Sequence, residues 1–250
     1  MTKPVVHFLT DPALFRAKEN WYLQVRQREG RILSDEMVLG LPDVAPSGAD
    51  AQEWRWRRRS LARLEEYLTQ KFAEKTCRLL DLGCGNGWMA NRLAESRNRD
   101  VWAVDLNEPE LAQGARLFGR DNLRFVYADV LADVLPPQHF DAVVMAASVQ
   151  YFPDLPELFQ ALCKTLKPGG EIHFLDSHFY KNEALRADAQ QRTRKYYAEL
   201  GFPEMATFYH HHRWDEVAGL GGQHLNRSLA TQFLQKIKWL APFAWVRVKV

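Results

Sequence analysis

A chain of 250 residues with 46% hydrophobic side chains can bury a full core, which excludes a wholly disordered protein. Its net charge of +2 supplies no strong field for nucleic acid or an anionic membrane. The three cysteines, Cys77, Cys84 and Cys163, show no CxxC spacing, which argues against a disulfide framework or a structural zinc site and suits a reducing cytoplasm.

The first stretch, MTKPVVHFLTDP, has no basic region followed by a long apolar run, so no signal peptide is expected. No stretch approaches the roughly 20 apolar residues that span a bilayer. Asp11 and Pro12 then open a helix that Gly30 can stop, with Leu14, Trp21, Tyr22 and Val25 on one stripe. Residues 39–50, LGLPDVAPSGAD, read as a loop. A second helix is expected from about Gln52 to Lys75, with Trp54, Leu61, Leu64, Leu68 and Phe72 at helical spacing. In this helix RWRRR (55–59) reads as a solvated face, with Trp54 inward and Arg57 and Arg58 outward, so nucleic-acid binding is not expected.

After Cys77 short apolar runs alternate with helical stretches. The runs are RLLDLG (78–83), VWAVDL (101–106), LRFVYAD (123–129), FDAVVMAAS (140–148) and EIHFLDS (171–177). Such alternation implies right-handed crossovers and a mostly parallel sheet covered on both faces. Near the end, NEALRADAQQRTRKYYAELG (182–201) reads as a polar helix, HLNRSLA (224–230) as a strand, and AWVRVKV (244–250) as an alternating strand pairing with it antiparallel to the rest.

The glycine loop carries the chemistry. In an open parallel sheet ligands lie beyond the carboxyl ends of the strands, and DLGCGNG (81–87) follows the first of these runs. Gly83, Gly85 and Gly87 form GxGxG, unlike the GxGxxG that seats a pyrophosphate. Asp81 at the loop's entrance would repel phosphate and favours an ammonium group. Asp105 lies 22 residues after Gly83, the spacing at which an acid takes ribose hydroxyls. Asp129 ends the third run and can accept from an adenine amine. The ligand implied has adenine, ribose, an ammonium group and no phosphate.

This set resembles the class I S-adenosylmethionine-dependent methyltransferases. The resemblance rests on LLDLGCGNG, VWAVDLN, RFVYADV, FDAVVMAASVQYFPDL and LKPGGEIHFLDS, in order, over residues 77 to about 177. It implies S-adenosyl-L-methionine as cofactor, S-adenosyl-L-homocysteine as its product, and an α/β, doubly wound Rossmann-like sheet, mostly parallel with an antiparallel C-terminal strand. It also implies cofactor contacts from Asp81, Gly83, Cys84, Gly85, Asn86, Gly87, Asp105, Leu106, Asp129, Val130 and Ala146, with Leu106 and Val130 flanking the adenine and residues 146–148 near the sulfonium. A basic residue from the N-terminal helices is expected at the cofactor's carboxylate, with Arg26, Arg31 and Arg57 unranked.

Organisation is expected as a helical N-terminal cap over 1–76 and a methyltransferase domain over 77–250, with a lid or substrate insertion at 178–222. Gln150 and Tyr151, at the end of the fourth run, and His178, after the fifth, are the catalytic candidates, the histidine because its ordinary pKa suits proton abstraction. Tyr151 packing under the next helix, His178 as a capped loop residue and Asp176 as a turn acid stand beside these readings. The histidines of YHHHRW (209–214) lack a second ligand cluster, so no metal site is expected. The absence of NPPY or DPPY after the fourth run argues against amino methylation of adenine or glutamine. A compact aromatic-lined acceptor pocket favours a small molecule methylated on oxygen. Open alternatives are a tRNA or protein acceptor, a nicotinamide-dependent oxidoreductase, and a non-catalytic S-adenosylmethionine-binding module.

Overall fold

The computed structural model describes residues 5–43, 50–73, 75–225, 229–236 and 242–250. Strand β1 (Val6–Phe8) precedes helices α1 (Arg16–Arg28), α2 (Asp35–Gly40) and α3 (Asp50–Phe72). Strands and helices then alternate as the apolar runs require: β2 (Cys77–Leu82), α4 (Trp88–Leu93), β3 (Arg99–Asp105), α5 (Glu108–Leu117), β4 (Leu123–Tyr127), β5 (Phe140–Ala146), α6 (Leu155–Thr165) and β6 (Leu166–Ser177). The chain continues through β7 (Phe179–Tyr180), α7 (Glu183–Leu200), β8 (His212–Arg213), α8 (Trp214–Gly219), β9 (Gln223–His224), α9 (Leu229–Lys236) and β10 (Ala244–Lys249).

The described strands build an eight-stranded sheet in the order β1-β4-β3-β2-β5-β6-β10-β9. Strands β1 to β6 are parallel, and β10 runs antiparallel to both β6 and β9. The chain winds outward from β2 through β3 to β4, then returns to β5 on the other side of β2. That reversal opens a crevice above β2 and β5. Successive residues Leu79 and Leu80 point to opposite faces and both are fully buried, so each face needs its own cover. Leu61, Leu64 and Leu68 of α3, Met89 and Leu93 of α4 and Leu111 of α5 cover one face. Leu155, Leu158 and Leu162 of α6, with Val217 of α8, cover the other.

Several expectations are corrected by long-range packing. The stretch 1–76 is only in part a cap. Val6–Phe8 joins the sheet edge beside β4, and α3 lies in the main core. Helix α1, the turn after it and the start of α3 reach over the strand ends, and Val25 of α1 packs there with Tyr197 of α7 and Met205. Leu14 leaves the apolar stripe because Asp11 caps a separate short turn, Pro12–Leu14, and Leu14 is 73% exposed. The expected loop at 39–50 begins inside α2, which Ser34 caps, and residues 44–49 lie outside the described residues. The strand expected at 224–230 is β9, which ends at His224, while Leu229 already starts α9 and 226–228 lie outside the described residues. Its antiparallel pairing with β10 is as expected.

One cap ties α1 to the crevice. Asn107 precedes α5, accepts the Glu110 amide at 3.2 Å and donates to the Glu110 carboxylate at 3.0 Å. Glu19 of α1, only 5% exposed, accepts the Glu108 amide at 2.5 Å at the same helix start. Both satisfy amides that the helix itself leaves open. Asn107→Ala is expected to lower the unfolding free energy by about 1–2 kcal/mol, the usual cost of a lost N-cap, measured by urea denaturation.

Candidate functional site

Two adjoining cavities lie over the strand ends. The first, a cleft of about 340 Å³, runs along the glycine loop and the ends of β2, β3 and β4. Of the expected cofactor residues, Asp81, Gly83, Cys84, Gly85, Asn86, Asp105, Leu106, Asp129, Val130 and Ala146 line it. Gly87 is absent from that wall. Its φ of +72° caps α4, and a Cβ there would run into the Phe125 ring. Gly83 likewise has φ +77° and presses against Ser148, whose hydroxyl donates to the Leu82 carbonyl at 2.7 Å. At these two positions glycine serves close packing of the loop on the sheet.

The cleft is acidic inside. Asp81 is 2% exposed; one oxygen meets the Ala90 amide, while Oδ2 has no partner among the described residues. Burial, then the nearby Asp105 charge, pushes Asp81 up to about 7. The same two causes push Glu110 up to about 7. Asp105 accepts the Gly85 amide at 2.7 Å and is also held by the Leu106 and Asn107 amides. Burial raises its pKa against those three bonds. Asp129 accepts the Leu131 amide at 3.0 Å with one oxygen, and its own amide donates to Thr10 at 2.9 Å. Lys18 of α1 is also on the wall and is attracted by Asp105 and Asp129, while burial lowers its pKa.

The second cavity, a chamber of about 1030 Å³, opens beyond Tyr151 under α1 and α7. Rings follow one another around it. His178 lies on Tyr180 at 4.3 Å, Tyr180 on His211 at 5.4 Å, His211 on Tyr209 at 5.2 Å, Tyr209 on Tyr151 at 5.9 Å, and Tyr151 on Tyr22 at 5.9 Å between centroids. Tyr151 belongs to both cavities, whereas Gln150 and His178 line only the chamber. His178 is partly open to solvent, and its partial burial, then the Arg192 charge, lowers its pKa. The Gln150 amide is spent on the Ala147 carbonyl at 2.5 Å, bracing a non-glycine residue with φ +53°. Of the three adjacent histidines, His211 bonds Thr193 at 2.9 Å and Tyr180 at 3.2 Å. Among the described residues no group of three or more His, Cys, Asp or Glu is placed to hold a metal ion.

Arg26, Arg31 and Arg57 all line the cleft. Arg57 therefore faces inward, contrary to its expected outward position. It stacks over Trp54 at 5.1 Å and pairs with Glu53 at 2.5 Å, which also holds Arg31 at 3.1 Å. Trp54 and Arg57 were expected on different faces, but residues three apart in a helix share a flank. Arg58 behaves as a surface residue, 49% exposed near Asp43. Sequence reasoning missed Lys18, Glu19 and Glu110. Only Glu110 carried a local signal, the Asn-x-x-Glu of a helix start.

Residues 79–170 match the family model described as "Methyltransferase domain". An uncharacterized methyltransferase of Mycobacterium tuberculosis is 36% identical over 94 residues, 38% of this chain and 47% of that protein. Residues 79–170 are thus similar to a methyltransferase domain, in keeping with the resemblance of the glycine loop and strand-end acids to the class I S-adenosylmethionine-dependent methyltransferases. The chain is also 33% identical over 113 residues to a ubiquinone biosynthesis O-methyltransferase of Xylella fastidiosa, 43% of this chain and 44% of that one. It thus spans about half the length of the curated relatives it matches. A phosphoethanolamine N-methyltransferase of Haemonchus contortus, solved with phosphomonomethylethanolamine and S-adenosylhomocysteine, shares the fold. The TM-score is 0.56 at 17% identity, covering 88% of this chain and 48% of that one.

The family's cofactor is S-adenosyl-L-methionine, and the cleft's residues fit it. A buried, unpartnered Asp81 oxygen among raised-pKa carboxylates suits a ligand bearing cationic groups. A cation there favours the ionised carboxylates, so the complex holds fewer protons than the empty cleft. If the ammonium of S-adenosylhomocysteine is that cation, its affinity is expected to rise as pH climbs to about 7 and then level off, with proton release in calorimetry across buffers. A pH-independent affinity contradicts this reading of the two acids.

Proposed function

We propose that this methyltransferase moves a methyl group from S-adenosyl-L-methionine to a small organic acceptor in the chamber, most directly to an oxygen atom. One observation carries the reading: Tyr151 is common to the two cavities, so their occupants meet at the end of β5. Support for oxygen comes from the O-methyltransferase among the relatives. In the cleft Asp105 would hold the ribose hydroxyls and Asp129 the adenine amine, with Leu106 and Val130 against the ring. Gly83, Cys84, Gly85 and Asn86 would follow the methionine part, Asp81 would face its ammonium, and residues 146–148 would lie by its sulfur. Arg26 is our choice for its carboxylate, since its pairing with Glu29 at 3.4 Å is longer than the Glu53 contacts that hold Arg31 at 3.1 Å and Arg57 at 2.5 Å.

When bound, the cofactor supplies a methyl group on positively charged sulfur. The chain's own work is then alignment and exclusion of water. Helix α1, fastened by Glu19 and packed on α7, roofs the junction. Burial raises the Tyr151 pKa, so its hydroxyl stays protonated at neutral pH and donates to the acceptor. Gln150 keeps Ala147 in place, and His178 contacts the acceptor from the chamber wall. No helix of the described residues is long and apolar enough to cross a membrane, and the three cysteines are free, which supports a cytoplasmic site of action.

The test is transfer from radiolabelled cofactor into a cell extract separated into small molecules, RNA and protein. Label is expected in the small molecules. Label confined to RNA or protein rules out the small acceptor.

A further inference from the structure

Asp176 is the last residue but one of β6 and lies beside Ala147, whose amide donates to the Leu175 carbonyl at 2.9 Å. Among the described residues, Glu53 and Asp176 are the carboxylates that line both cavities. Glu53 is consumed by two guanidinium groups. Among the described residues Asp176 has no ion pair, although the Arg57 charge attracts its carboxylate. Its Oδ1 accepts the Ser60 hydroxyl of α3 at 2.6 Å, and its Oδ2 is shielded from solvent with no partner at all. Its backbone is also strained, with φ +52° at a residue that carries a side chain. A buried carboxylate oxygen without a donor and a left-handed backbone both cost stability. Both fall on one residue at the junction where the two occupants would meet. A turn acid needs neither.

We propose that Asp176 is the catalytic residue that receives the acceptor's proton, and that the acceptor therefore presents a hydroxyl group to its Oδ2. The inference rests on the proposed methyl transfer and adds the identity of the base and the class of acceptor. As the acceptor's oxygen–carbon bond forms, the carbon–sulfur bond of the cofactor breaks and its electron pair stays on sulfur. The hydroxyl proton passes to Oδ2 and later leaves to solvent. The products are the methylated oxygen, S-adenosylhomocysteine and a proton. Ser60 fixes the carboxyl through the other oxygen. The exposed His178 and the protonated Tyr151 are less suited to take the proton.

Asp176→Asn is the decisive variant. Asparagine can still accept from Ser60 and tolerates φ > 0, but it cannot take a proton. Three results are expected. Calorimetric affinity for S-adenosylhomocysteine stays close to that of the parent. Label transfer into the small-molecule fraction falls by at least about a hundredfold, the lower end of what a general base contributes. The melting temperature holds or rises, because an unpaired buried charge is gone. A smaller fall in transfer, a lower melting temperature, or lost affinity for S-adenosylhomocysteine each overturns the proposal. Asp176→Gly, which relieves the backbone, serves if asparagine does not fold. A parent protein that binds no S-adenosylhomocysteine would instead contradict the proposed function itself.

Discussion

Asp105→Ala is expected to weaken binding of S-adenosylhomocysteine by about 30- to 150-fold, or ~2–3 kcal/mol, in a calorimetric titration. Two losses combine. The ribose hydroxyls lose a charged acceptor, worth about 1.5–3 kcal/mol in hydrogen bonds of that kind. The loop loses the carboxylate that takes the Gly85 amide at 2.7 Å and the Leu106 and Asn107 amides. Asp105→Asn separates the two, since its amide oxygen can keep the Gly85 bond. It should lose less affinity. It should also shift the pH midpoint of binding downward, because the Asp105 charge helps raise Asp81 and Glu110. Unchanged affinity in the alanine variant with the fold intact would remove Asp105 from the site.

Gly83→Ala should be the more damaging change to the fold. The residue sits at φ +77°, and its new Cβ would overlap the Ser148 Cβ, which is held in place by the hydroxyl bond to Leu82. The left-handed backbone costs roughly 1–2 kcal/mol and the overlap about 1–3 kcal/mol. A loss of ~2–5 kcal/mol in urea denaturation is expected, a large part of a typical 5–15 kcal/mol stability. Gly85→Ala provides the contrast. Its Cβ would meet only the end of the Glu110 side chain at 3.2 Å, which can move aside. Ser148→Gly should restore part of the stability of Gly83→Ala, because it removes the atom in the way. Equal losses at 83 and 85 would show that crowding against Ser148 is not the cause.

Both experiments concern the part of the molecule that local sequence describes best. Strands β2 to β6 announce themselves because a parallel strand buried on both faces is a short apolar run, as in Leu79 and Leu80. The glycines and acids at their ends follow from spacing alone. Docking does not. Glu19 reaches the α5 start across 89 residues, and Thr10 reaches Asp129 across 119, so neither could be read from its own neighbourhood. The same limit hid the inward position of Arg57, which depends on where α3 meets the sheet. Val6–Phe8 is too short to show a period, and its strand exists because β4 offers an open edge. His178 follows a strand end, yet the chain turns there so that the ring lies on Tyr180 in the chamber, away from the cleft.

The central claim is that a phosphate-free adenosyl ligand occupies the acidic cleft beside the glycine loop. Parallel calorimetric titrations of the intact protein with S-adenosylhomocysteine and with NAD test it most directly. The account predicts saturable binding of S-adenosylhomocysteine with one equivalent per chain, and no binding of NAD, whose pyrophosphate would meet Asp81, Asp105 and Glu110. Saturable binding of NAD, or a folded protein that gives no heat with S-adenosylhomocysteine, would contradict it.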